Sequence, residues 1–93
     1  MNTKYLLSAH ALKRLKERLK IKNRRRAYHE VRNAYNRGVE IHCMREQNVY
    51  CIFFNQTIYV FCNFSYKHIE TVLLITVYRD VNNFYSSFIK YWR

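Results

Sequence analysis

Residues 31–43 read Val31-Arg32-Asn33-Ala34-Tyr35-Asn36-Arg37-Gly38-Val39-Glu40-Ile41-His42-Cys43. Ahead of Gly38 the apolar positions Ala27, Val31, Ala34 and Tyr35 recur at helical spacing and form one stripe. Past it the period is two. Val39, Ile41 and Cys43 alternate with Glu40, His42 and Met44, the pattern of a strand covered on one face. The chain's one glycine stands at the switch. Glycine takes left-handed backbone freely, so Gly38 is expected to end the helix in that conformation. Helix first and strand after is the order of an α+β domain.

Working back from Gly38, Asn23 is a suitable cap for this helix, which spans 24–37. Ile21-Lys22 is a short connection. Residues 8–20 form an earlier helix, with Ser8 as N-cap and Ala11, Leu12, Leu15 and Leu19 along one stripe. His10, Arg14 and Glu17 lie on the other side, and Arg18 flanks both. Working forward, Arg45–Asn48 turns the chain. Strands follow at 49–54 and 57–64, joined by an Asn55-Gln56 hairpin. Residues 65–68 turn again. Ile69–Tyr78 is the longest and most apolar strand, expected at the centre of the sheet with the helices on one face. Phe84, Tyr85, Phe88 and Trp92 suggest a short C-terminal helix. The expected fold is therefore one domain over 1–93, α+β. Two N-terminal helices pack on a four-stranded antiparallel sheet.

Composition narrows the function classes. Hydrophobic residues make up 49 % and charged residues 25 % of 93, which excludes a disordered or collagen-like chain. No apolar run reaches membrane-span length, and the stretch before Ser8 is too short for a signal-peptide core. Net charge is +11. The first 46 residues carry +9 of it and the remainder +2, so the basic residues define one surface. Its candidates for phosphate contact are Lys13, Lys16, Lys20, Arg24, Arg25 and Arg26. Such a surface calls for an anionic partner, whether nucleic acid, an acidic protein or an anionic membrane, with nucleic acid first and an acidic protein next. Cations oppose the positive end of a helix dipole, so the triplet Arg24–Arg26 in a first turn is either kept for a ligand or a solvated charge run. Cys43, Cys51 and Cys62 are odd in number, and none stands in a zinc-spaced pair. They read as buried thiols in a reduced cytoplasm, with no metal or cofactor expected. Sixteen aromatics are available for core filling or for base stacking.

His10 and Arg14, four apart, share a helix face turned from the leucine stripe. Histidine suits the two proton steps of metal-free RNA cleavage, and arginine grips a phosphate with two parallel N–H groups. The same spacing also describes an ordinary solvated face. His42 is a second acid/base candidate, while His29 and His68 read as surface and turn residues. The run Ser8-Ala9-His10-Ala11-x-x-Arg14-x-x-Glu17-Arg18 resembles the opening S-x-H-A-x-x-R-x-x-E-R motif of BrnT-like toxins and a related domain family of bacteria and phages. Thr76-Val77-Tyr78 resembles the end of their last strand. The resemblance implies a RelE-like domain, a metal-independent ribonuclease activity and an antitoxin partner. It also implies His10, Arg14, Thr76 and Tyr78 as active-site residues, with Glu17 and Arg18 supporting. The expected function is RNA binding with cleavage by 2′-OH attack. The alternative is an inactive module that docks nucleic acid or an acidic host protein through its basic helices.

Overall fold

The computed structural model describes residues 3–44, 48–80, 82 and 84, the side chains of 42–44 excepted. Its elements are β1 (Lys4–Leu7), α1 (Ala9–Leu19), α2 (Arg24–Arg37), β2 (Val39–Met44), β3 (Val49–Phe54), β4 (Thr57–Tyr66) and β5 (Ile69–Tyr78). The five strands form one mixed sheet in the order β1-β5-β4-β3-β2. This corrects the four-stranded antiparallel sheet expected from sequence. The extra strand is β1, which pairs parallel with β5 from Lys4 opposite Thr71 to Leu7 opposite Leu74. Four residues are too few to display a period, and directly before a capped helix they read as lead-in. β4 and not β5 holds the middle of the sheet, and β1 makes β5 an inner strand where it would otherwise be an edge.

It also decides how α1 sits. β1 covers the edge of β5 only as far as Leu74. From Ser8 onward the first helix takes over that edge. The Ser8 amide donates to the Leu74 carbonyl at 3.2 Å, and the Ser8 hydroxyl donates to the Ile75 carbonyl at 3.2 Å. Near the other end of α1, the Arg18 guanidinium donates to the Val77 carbonyl. The helix thus lies along the rim of the sheet and satisfies backbone acceptors that β1 leaves open.

The core has two layers. Between helices and sheet, Ala11, Leu15, Ile21, Ala27, Val31 and Ala34 cover Ile52, Tyr59, Phe61, Val72, Leu74 and Val77. On the opposite face Val49, Cys51, Ile58 and Val60 gather around Phe84, with Cys62, Ile75 and Tyr78 at the margin. The expected C-terminal helix falls on 84–92, of which only Phe84 is described. The Arg45–Asn48 turn lies outside the described residues but for Asn48.

Both hairpins turn on two residues. Asn55 and Gln56 have φ of 51° and 61°, and Lys67 and His68 have 51° and 64°, the paired positive values of a type I′ turn. The second turn is tighter than expected, so β4 continues past Phe64 to Tyr66. Gly38 ends α2 as expected, but not by left-handed backbone. Its φ is −76° and ψ 172°. What it supplies is space, since a Cβ there would meet Ile52 Cγ2 at 2.2 Å and the Ala34 carbonyl at 2.6 Å. The left-handed cap belongs instead to Lys20 at the end of α1. Val39 and Ile41, expected on a covered face, are 65 % and 41 % exposed because β2 is the edge strand. No helix among the described residues is long and apolar enough to cross a membrane.

Candidate nucleic-acid interface

Ser8 shapes the start of the site. Its hydroxyl accepts from the Ala11 amide at 2.9 Å while donating to β5, so one side chain both caps α1 and fastens it to the sheet. Ala11 is fully buried beneath the helix, where only a small side chain fits so near the strands. Arg18 is also engaged. Besides its bond to Val77, its guanidinium stacks over the Tyr78 ring, 5.0 Å from the centroid. Packing accounts for these three motif residues.

It does not account for the other three. His10 and Glu17 are exposed, and Arg14 is partly so. Arg14 Nε donates towards His10 Nε2 at 3.4 Å, and its Nη1 meets Glu17 Oε2 at 2.8 Å. An exposed i, i+3 ion pair of this kind adds little stability. The row His10–Arg14–Glu17 therefore sits on the outer side of the rim helix, reachable by a ligand.

The two residues from the end of β5 share a face but differ in their partners. Tyr78 lies under the Arg18 guanidinium at the end of the rim helix. Burial pushes its phenol above the ordinary value, and the Arg18 and Arg14 guanidiniums pull it back. Arg14 is thus within electrostatic reach of the Tyr78 hydroxyl. Thr76 pairs with Val60, across a bulge that leaves Ile75 without an opposite residue. It consequently faces the layer around Phe84, is 6 % exposed, and makes no hydrogen bond to His10 or Arg14 among the described residues. Thr76 and Tyr78 do share that face, Tyr78 lying opposite Ile58.

Lys13, Lys16, Lys20, Arg24, Arg25 and Arg26 are all exposed. Between α1 and α2 a groove of about 380 Å³ has Leu12, Ile21 and Ala27 for a floor and Lys13, Lys16, Lys22 and Arg24 along its sides. Lys22 escaped the sequence reading because it lies in the connection, where helical periodicity gives no direction. The triplet Arg24–Arg26 follows the Asn23 cap, whose side chain accepts from the Arg26 amide. The cap offsets part of the dipole cost of holding cations there.

The aromatics divide by depth. Tyr59 and Phe61 are core. Tyr35 packs edge-on against Phe61 and Tyr5, and the Tyr50 hydroxyl donates to Asn63 Oδ1. Tyr66 is exposed on the β4–β5 hairpin. His29 contacts Asn33 at 3.3 Å on the outside of α2, and His68 occupies its turn. The side chains of His42 and Cys43 lie outside the described ones. Cys51 is buried and Cys62 half-buried. Among the described residues no three of His, Cys, Asp and Glu stand close enough together to hold a metal ion. The chain matches no protein-family model, no curated protein and no solved structure.

Proposed function

We propose that the chain binds single-stranded RNA along the outer faces of α1 and α2 and cleaves it at His10 and Arg14 without a metal ion. One observation carries this reading. In the Ser8–Arg18 motif the residues without a packing role are His10, Arg14 and Glu17, and they form one exposed row beside the basic groove. The BrnT-like resemblance of the motif supports the same assignment. In the reaction His10 takes the 2′-OH proton, and the freed oxygen attacks the adjacent phosphorus. The 5′ oxygen leaves and collects a proton from the Tyr78 phenol, which is protonated at neutral pH. Arg14 holds the pentavalent phosphate through two N–H groups. The products are a 2′,3′-cyclic phosphate and a 5′-hydroxyl.

A second reading has its own observation. Thr76 is buried with no hydrogen bond to the row among the described residues, and Arg14 is already paired with Glu17, which suits a module that binds RNA without cutting it. Incubation with RNA in EDTA separates the two. The first reading requires cyclic-phosphate ends, reduced about two to four orders of magnitude in rate by His10→Ala with the fold intact. Retention of RNA with no new ends supports the second.

A further inference from the structure

A second cleft, of about 230 Å³, opens where α2 passes the β3–β4 hairpin. Arg26 and Glu30 of α2 form one wall, Asn55 and Gln56 of the hairpin another, and Arg79 closes the end beyond β5. Its chemistry differs from that of the α1–α2 groove. There every charged group is a cation. Here a half-buried carboxylate stands among them. Glu30 is close enough for its charge to be felt by the buried Tyr59 phenol, which also lines the cleft. A carboxylate repels a phosphate but accepts readily from the N–H edge of a base.

The hairpin adds a matching feature. A type I′ turn favours glycine at its second position, and Gln56 occupies it at φ 61°. That choice costs about 1 kcal/mol of backbone strain and places a primary amide at the cleft beside that of Asn55. Amides and a carboxylate together read a base edge that mixes donors and acceptors. Arg26 and Arg79 can hold the phosphates on either side of that base or stack on its plane.

Among the four bases, guanine alone presents two neighbouring N–H donors, N1–H and N2–H, to a single carboxylate, with the O6 acceptor next to them. We propose that this cleft takes a guanine splayed out of single-stranded RNA, Glu30 accepting from N1–H and N2–H while the Asn55 and Gln56 amides reach O6. The proposal rests on the RNA-binding reading above and gives it a base preference.

Fluorescence anisotropy with short oligouridylates carrying one central G, inosine, A or C tests it at fixed salt. The G-containing strand is expected to bind wild-type protein roughly tenfold more tightly than the all-U strand. Inosine, which lacks N2–H, keeps only part of that preference. Glu30→Gln strengthens binding of the strands without G by removing a negative charge, weakens the G-containing strand relative to them, and brings the G-to-U ratio close to one. Asn55→Gly with Gln56→Gly preserves the turn and lowers the same ratio. Equal binding of all strands, a preference for another base, or a G preference undiminished in Glu30→Gln overturns the proposal and leaves RNA binding standing. If the wild type binds none of the strands, the RNA reading fails and this proposal falls with it.

Discussion

A methyl group at Gly38 would have nowhere to go. Two of its nearest neighbours, the Ala34 and Phe53 carbonyl oxygens at 2.6 and 3.0 Å, are backbone and cannot turn aside. Gly38→Ala should therefore cost about 1–3 kcal/mol by overpacking, read as a lower urea midpoint at unchanged m-value. The position was legible as a boundary, but its reason was not. A sequence shows where a period changes and carries no trace of β3 approaching from across the sheet. Tyrosines supply a pH test at the same scale. Burial, then the charge of Glu30, pushes Tyr59 up to about 12, and Tyr50 and Tyr78 move in the same direction. A phenol whose folded value lies above its unfolded value, near 10, stabilises fully below pH 10. That contribution is lost as pH rises from about 10 to about 12. Stability should fall across this window, and Tyr59→Phe should soften the fall. Equal losses in the two proteins would contradict the assignment.

Among the elements, the hairpin at Asn55-Gln56 and the two capped helices could be read from local chemistry alone, because turn and cap residues act on their immediate neighbours. β1 could not, since its partner lies 67 residues away along the chain. Its contribution is testable. A chain lacking residues 1–7 should unfold at a clearly lower denaturant concentration, because β5 loses a neighbour and Tyr5 and Leu7 leave the core margin. An unchanged midpoint would favour the four-stranded sheet. The end of α1 offers the opposite sign. Lys20 holds φ 60°, where a side chain is strained, so Lys20→Gly should raise stability by a few tenths to about 1 kcal/mol. The candidate site was half legible at this level. The i, i+4 spacing of His10 and Arg14 put them on one face. That Thr76 points into the layer around Phe84 depended on a bulge in β5 that shifts side-chain alternation by one residue.

Over the whole molecule the charge asymmetry dominates. The helices carry the cations, and the sheet face around Phe84 is apolar, exposing Phe53, Phe64, Tyr66 and Ile69 at its margins. An RNA strand drawn to the helical side passes the α1–α2 groove and the His10–Arg14 row. Counterion release makes such binding steeply dependent on salt, by about 0.7 in the log–log slope for each phosphate neutralised on a single strand. The most direct test is the affinity for a short single-stranded RNA, measured between roughly 50 and 200 mM salt for the wild type and for the triple variant Lys13→Ala, Lys16→Ala, Arg25→Ala. The account predicts a steep slope in the wild type and a slope shallower by about 2 in the variant, whose fold is unchanged. Binding that ignores salt, or a slope that the three substitutions leave untouched, would contradict it.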